Sequence, residues 1–402
     1  MFDPQDPEVL ADPYPHYARL RREAPVLWLP DYDIWLVSRH RDVAEVLRDP
    51  QTYSSQLGHA AEPGKKESGI RYRIGAPGVP IVLAMDPPDH TVFRRAVRDG
   101  FTGKRIAQLG AAVEDLARQQ IGCLLERSRA GDADFCRDVA GPVPTLVLGE
   151  LFGLPEQMRP ALFDWAQTVV ADLDVTISGE DQLGRGLEML RYFYREVKRR
   201  RDGSGTELLD VLANGHKHGL GEREVLSFCG FLVVAGVETT TNQLTNLVDV
   251  LVSQPSVQER LRADPALIPA AVQESIRYDG SVQGLWRSTT RAVTLGGQEL
   301  PAAARMFILY GSANRDEEYV ADPDLFLLDR ACGDHVGFGH GIHYCLGARL
   351  ARLEIETVLR ELLAATESIQ AHGPSKRHAS VALRGFSRQD VTALPALVPS
   401  GR

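Results

Sequence analysis

One loop constrains this chain more than any other segment: Phe338-Gly339-His340-Gly341-Ile342-His343-Tyr344-Cys345-Leu346-Gly347. Its three glycines permit a tight turn that holds one sulfur still. A helical pattern follows at 348–366, and the first N–H groups and positive dipole end of such a helix favour a thiolate. A lone cysteine is commonly a small buried side chain. A thiolate caged by aromatic and small neighbours instead suits an axial ligand to haem iron. The first reading assigns no function, whereas the second fixes a reaction class, and the rest of the chain decides between them.

The chain has 402 residues, 44% of them hydrophobic and 25% charged, an ordinary globular profile. No Ser/Gly/Pro linker divides it, so residues 1–402 are read as one domain. A helix spans 8–24, followed by a hairpin of Val26–Leu29 and Ile34–Val37 and a helix over 40–48. Residues 55–80 read as a long loop rich in Gly, Pro and charge. Apolar residues spaced three and four apart predict helices at 105–129, 156–173, 181–200, 207–214, 221–253 and 267–279. Short strands are expected at Val293–Leu295, Met306–Leu309 and within 378–398. The fold class is therefore mainly α with small β-sheets near both ends. The missing β-α-β alternation argues against a doubly wound sheet.

The longest unbroken apolar-and-glycine run, Phe228 to Val237, is ten residues, too short to span a bilayer. The start Met1-Phe2-Asp3-Pro4 has no basic-then-apolar leader pattern, so a cytoplasmic protein without a membrane partner is expected. Cysteines at 123, 136, 229, 332 and 345 form no CxxC pair, which fits a reducing compartment. The net charge of −9 gives no reason to expect nucleic-acid binding.

Three further clusters bear on chemistry. Ala235-Gly236-Val237-Glu238-Thr239-Thr240 interrupts a helix with residues of poor propensity. There Thr239 can bond a carbonyl one turn back and Gly236 leaves space. An acid beside an alcohol at a dry cavity is a proton-delivery device. Glu274 and Arg277 stand three apart on a helix and can pair. His90 and Arg94 lie four apart on one helix face, donors of the kind two carboxylates need.

On these residues the chain resembles the haem-thiolate monooxygenases, the cytochrome P450 family. The loop fits F-x-x-G-x-x-x-C-x-G, Asp86-Pro87-Pro88-Asp89-His90 to Arg94 resembles D-P-P-x-H-x-x-x-R, and Glu274-Ser275-Ile276-Arg277 resembles E-x-x-R. The resemblance runs from Asp12-Pro13-Tyr14-Pro15 to Leu383-Arg384-Gly385. It implies a triangular helical prism with haem b between a long central helix and the cysteine-loop helix. It implies Cys345 as the thiolate ligand, in a loop whose Phe338, Gly339 and Gly347, with Ala235 on the opposite face, border the haem. Glu238 and Thr239 would deliver protons to dioxygen. His90, Arg94, Arg287 and His343 would hold the propionates, and Glu274 with Arg277 would be structural. Departures are visible at Leu325, where the family often has a third, cationic partner for that pair, leaving Arg330 as the expected substitute. Gly280 and Arg349 stand where proline is common.

The implied reaction inserts one atom of dioxygen into a small organic molecule, by hydroxylation or a related oxidation such as O-demethylation, in bacterial secondary metabolism or catabolism. Matching offsets give Phe231, Val234, Ala235, Val282 and Gln283 as substrate contacts, with walls from 55–80, 160–185, the bent helix and a strand after the Glu274–Arg277 helix. Lys65, Lys66, Arg71 and Arg73 are consistent with an aromatic acid or a carrier-tethered acyl group. Electrons would come ultimately from NAD(P)H through a ferredoxin reductase and a ferredoxin. Arg94, Arg95, Arg98, Arg349 and Arg352 would form a basic docking patch. A peroxide-driven haem-thiolate enzyme and a non-catalytic haem gas sensor remain as alternatives.

Overall fold

The computed structural model describes residues 2–58, 81–171, 180–330 and 334–396. The central element is a helix, Glu222–Ser253, of 32 residues and so roughly 48 Å long. Gly221 precedes it, and Pro255 opens the next helix just past its end. Val225, Phe228, Leu232 and Val233, then Leu244, Leu247, Val248 and Leu251, recur at helical spacing and sink into the main core. By length and composition the helix is apolar enough to cross a bilayer. Its place within the main core gives that apolar character another cause.

Beneath it runs the proximal helix, Ala348–Ala365, whose buried stripe Leu350, Ile355, Val358, Leu359 and Leu362 faces the same core. It packs against helices Gly110–Arg129 and Ile268–Tyr278. The β-structure is peripheral. β1 (Val26–Leu29), β2 (Ile34–Val37), β3 (Tyr53–Ser54), β4 (Gly284–Thr289) and β7 (Arg305–Leu309) form a five-stranded sheet in the order β1-β2-β7-β4-β3. β2 pairs parallel with β7, and β4 pairs antiparallel with it, Trp286 opposite Phe307. β5 (Val293–Leu295) and β6 (Gln298–Leu300) form a hairpin whose two-residue turn, Gly296-Gly297, has φ of 56° and 81°. Two positive φ values in succession are the reason both positions are glycine. β8 (Thr366–Ala371) pairs with β11 (Val391–Pro395), and β9 (Lys376–Arg377) with β10 (Phe386–Arg388).

Several sequence expectations change here. The helix expected at 105–129 is two, Gly103–Gln108 and Gly110–Arg129. The one expected at 156–173 opens as a 3₁₀ turn at Glu156–Met158 before Arg159–Ala171. Helix Pro142–Phe152, absent from the sequence reading, is buried along nearly its whole length. A helix apolar on every side shows no amphipathic period, and Pro142 and Pro144 read as breakers although proline fits a helix's first turn. The 55–80 loop lies outside the described residues beyond 58, as do 172–179 of the expected 160–185 wall.

The expected pairing of Glu274 and Arg277 is present and fully buried. Arg277 Nε and Nη2 donate to the Glu274 carboxylate at 2.7 and 2.8 Å. Leu325 offers no charge, but its carbonyl accepts from Arg277 Nη2 at 3.0 Å. Arg330 supplies the second cation: its Nε donates to Glu274 Oε1 at 3.0 Å, beside Leu327 N at 2.9 Å. Arg277 Nη1 also binds the carbonyls of Asn314 and Pro323 at 3.1 and 2.8 Å. The network thus ties the helix to the meander leading into the cysteine loop. Removing a partner from a buried ion pair leaves a charge without compensation, costing about 3–5 kcal/mol. Arg277→Leu is expected to lower unfolding free energy by about that amount, and Arg330→Leu by less because Arg277 still neutralises the acid. Urea denaturation of both variants measures the order.

Candidate active site

The cysteine loop is shaped by close backbone contacts. Gly339 has φ of 70° and Gly341 of 65°. A Cβ on Gly341 would fall 2.4 Å from the Leu47 carbonyl oxygen, so that position admits only glycine. Cys345 N–H donates to Phe338 O at 2.8 Å, closing the turn. Cys345 is accessible from a cavity that it lines. Burial pushes its thiol pKa up, while the N–H groups of Gly347 and Ala348 and the charges of Arg94 and Arg352 pull it back toward the thiolate. The proximal helix does present its first amides to the sulfur, as the sequence pattern implied.

The cavity extends from Cys345, Phe338, Gly339 and Gly347 on one side to Phe231, Val234, Ala235, Glu238 and Thr239 on the other. Thr239 Oγ1 donates to Ala235 O at 2.7 Å, one turn back. This returns the hydroxyl to the helix backbone and holds it at the cavity wall. Gly236 has room, since a Cβ would meet Leu148 at an ordinary 3.6 Å. Glu238 is buried, and its Oε1 accepts from Asn242 Nδ2 at 2.9 Å. Val282 and Leu285 add apolar wall, joined by Leu148 and Leu151 from the helix that the sequence reading missed.

The expected propionate donors gather at one edge. His90 and His343 have ring centroids 4.4 Å apart. His343 Nε2 hydrogen-bonds Ser55 Oγ at 3.0 Å, and Ser55 N donates to Asp86 Oδ1 at 2.9 Å. His90 is buried with its Nε2 lacking any protein partner. Burial, then the charge of Arg94, push its pKa down to about 4. Arg94 lines the cavity, and its Nη2 donates to Tyr344 O at 2.8 Å. Arg287 is buried on β4, its Nη1 donating to Trp286 O at 2.6 Å beside Tyr310, which lines the cavity. An orphaned imidazole nitrogen next to a half-buried guanidinium is the donor set that an anionic group would complete. The residues present therefore fit a haem, which Cys345 would hold through its sulfur and His90, Arg94 and His343 would hold at the carboxylate edge.

Two expectations are corrected. Gln283 does not contact the cavity: its Nε2 donates to Tyr14 OH at 3.2 Å and Gly280 O at 2.8 Å. Successive side chains in an extended segment point to opposite sides, so Val282 reaches the cavity and Gln283 turns away. The basic patch also loses members. Arg94 is committed to the cavity, and Arg352 lies over the Phe338 ring at 4.7 Å and donates to Tyr344 OH. Arg95, Arg98 and Arg349 are exposed.

Comparison with known proteins supplies the deciding observation. A family profile described as Cytochrome P450 matches residues 266–367, which contain Glu274, Arg277, Arg287 and Cys345. Cyclomarin C epoxidase CymV of Salinispora arenicola is 35% identical over 346 residues, 85% of each chain. The chain belongs to the cytochrome P450 family. The P450 fold is equally clear in solved structures. Cytochrome P450 CYP109Q5 of Chondromyces apiculatus superposes with a TM-score of 0.86 at 32% identity over 98% of both chains. The bacillaene polyketide synthase P450 PksS of Bacillus subtilis superposes with a TM-score of 0.86 at 30% identity, over 98% of this chain and 100% of that one. This P450 is thus a haem-thiolate monooxygenase of bacterial type.

His335, at the entry to the cysteine loop, carries a pH liability. It accepts from Gly337 N through Nδ1 and bonds Gln273 Oε1 through Nε2 at 3.0 Å. Burial, then Arg352 and Arg277, push its pKa down to about 4. A neutral histidine in the fold and an ordinary one in the unfolded chain differ in bound protons between about pH 4 and 6.5. Stability is therefore complete above pH 6.5 and falls as pH drops toward 4, by on the order of 3 kcal/mol. His335→Gln is expected to flatten that limb in urea midpoints measured across pH 4–7.

Proposed function

We propose that Cys345 is the thiolate ligand of haem b, and that Glu238 and Thr239 manage proton delivery on the opposite side of the same cavity. The carrying observation is that one continuous cavity is bounded by the cysteine loop and by the Ala235–Thr239 turn of the central helix. Haem supplies the redox chemistry that activates dioxygen when it is bound. Cys345 donates electron density through its sulfur. Phe338 and the loop glycines border that sulfur, and the N–H groups of Gly347 and Ala348 favour its thiolate form. Thr239 places a hydroxyl at the cavity wall. Glu238, one residue earlier, is the buried acid that exchanges protons with it. His90, Arg94, Arg287 and His343 anchor the carboxylates. Residues 1–402 act as one catalytic domain in this reading.

Electrons are proposed to come from NAD(P)H through a ferredoxin reductase and a ferredoxin in the cytoplasm, docking over Arg95, Arg98 and Arg349. Substrate is proposed to be uncharged and mostly apolar. Among the described residues the lining is dominated by Phe231, Val234, Leu148, Leu151, Val282 and Leu285, and its cation, Arg94, is engaged at the carboxylate edge. The anionic alternative depends on Lys65, Lys66, Arg71 and Arg73, which lie outside the described residues. CymV is named for epoxidising cyclomarin C, and PksS for the bacillaene synthase. These names favour a secondary metabolite, free or carrier-tethered.

Four outcomes are expected. Reduced enzyme with carbon monoxide shows the thiolate-type Soret band, and Cys345→Ser abolishes it. Thr239→Ala and Glu238→Gln keep that band but lower substrate oxidation per electron by roughly tenfold or more, with peroxide released instead. Peroxide alone does not match the reductase-driven rate, which separates this reading from a peroxide-driven enzyme. In a spin-state titration across compound classes, neutral polycyclic or macrocyclic compounds shift the spectrum and benzoic acids do not. Shifts confined to benzoates would overturn the substrate reading while leaving the haem site intact.

A further inference from the structure

The middle of the central helix carries a polar stripe where an apolar face is expected. Glu238, Asn242, Thr245, Asn246 and Asp249 recur at helical spacing and share one face. The β9–β10 hairpin lies along it. Arg377 donates to Asn246 Oδ1 at 3.1 Å and to Asp249 Oδ2 at 3.0 Å. Asn246 Nδ2 donates to Arg384 O at 2.9 Å, and Phe386 N to Thr245 Oγ1 at 3.2 Å. At the inner end Gly385 presses on Asn242 so closely that a Cβ would fall 2.1 Å from Asn242 Oδ1.

His378 sits where this seam meets the acid. Its backbone N–H donates to Gly385 O at 3.1 Å. Its imidazole Nε2 stands 3.9 Å from Glu238 Oε1. The His378 side chain is 27% exposed and that of Glu238 10%, so the imidazole spans the distance from solvent to a buried carboxylate. The other charges on the packed elements are already engaged. Arg377 pairs with Asp249 at 3.0 Å and Asp279 at 3.3 Å, and Arg384 pairs with Asp279 at 2.7 Å. Lys376 is exposed on the hairpin. Among the described residues Glu238 is the carboxylate that faces His378. Asn242 Oδ1, beside Glu238, is buried without a protein hydrogen-bond partner.

We propose that His378 is the solvent-side relay that reprotonates Glu238. The imidazolium Nε2–H passes its proton to Glu238 Oε1, directly after a small rotation or through one water, and the neutral ring takes a proton from solvent. One N–H bond breaks, one O–H bond forms, and no oxidant is consumed. His378 is a positioning residue that acts through Glu238, and the inference rests on the proton-delivery reading of Glu238 given above.

Two measurements on the holoenzyme test it. The first follows the histidine ring signals of the diamagnetic reduced carbon monoxide form by NMR across pH, with His378→Gln assigning the resonance. Glu238→Gln is expected to move the ring signals of His378, since the imidazole Nε2 stands 3.9 Å from Glu238 Oε1. Ring signals unchanged by Glu238→Gln would overturn the coupling. The second is stopped-flow reoxidation of the dithionite-reduced holoenzyme by dioxygen in H₂O and D₂O. Both Glu238→Gln and His378→Gln are expected to slow it several-fold, to enlarge the solvent isotope effect, and to remove the same limb of its pH profile. Slowing by Glu238→Gln but not by His378→Gln would sink the relay alone. No slowing by Glu238→Gln would sink the acid's role and the relay with it. Retention of the thiolate-type Soret band by both variants shows that the haem site has survived.

Discussion

Glu274 is a carboxylate with no access to water, and the placement of the cysteine loop follows from how its charge is met. Isolated burial of such a group is prohibitive, so the fold surrounds it with Arg277, Arg330 and the Leu327 amide. The cations that satisfy it are themselves satisfied by the carbonyls of Asn314, Pro323 and Leu325. Asn314 then accepts from Val336 N through its side chain, two residues before the loop's Phe338. A chain of obligate hydrogen bonds runs from one helix to the threshold of Cys345. The sulfur is held still by electrostatic necessity at a distance as well as by glycines at hand.

The central helix performs two tasks on two faces. Its apolar face is part of the main core and of the cavity wall. Its polar face is bound to the β9–β10 hairpin, which also engages Asp279, the carboxylate that receives Tyr14 OH at 2.6 Å. Burial alone would raise the Asp279 pKa, but Arg384, Arg377 and Tyr14 hold it below the usual range. Both ends of the chain are therefore tied to the helix that carries Glu238 and Thr239. A propensity-poor stretch such as Gly236-Val237-Glu238-Thr239-Thr240 remains helical because tertiary packing outweighs local preference.

Much of the site was legible before any coordinates because its chemistry demands particular residues at short spacings. A caged thiolate needs glycines within a few residues of the cysteine. An acid and an alcohol that share a proton must be neighbours. Arg330 was inferable as the replacement for a missing cation because a buried Glu274 has to be neutralised by something nearby. Helix Pro142–Phe152 was not legible, because burial on all sides erases the periodicity that reveals a helix. Gln283 was misplaced because an offset from a motif gives distance along the chain and not the side to which a side chain points.

The sequence by itself determined the reaction class, through Cys345 and the residues chemistry requires beside it, and most of the helical framework, through apolar periodicity. Tertiary structure decided which groups meet across long stretches of chain: His343 with Ser55, Arg94 with the cavity rather than the surface, and His378 with Glu238. Such encounters join residues separated by more than a hundred positions, and nothing local in the chain records them. They arise because burying the central helix on every side forces distant loops onto it, and each buried polar group must then find its partner among whatever those loops bring.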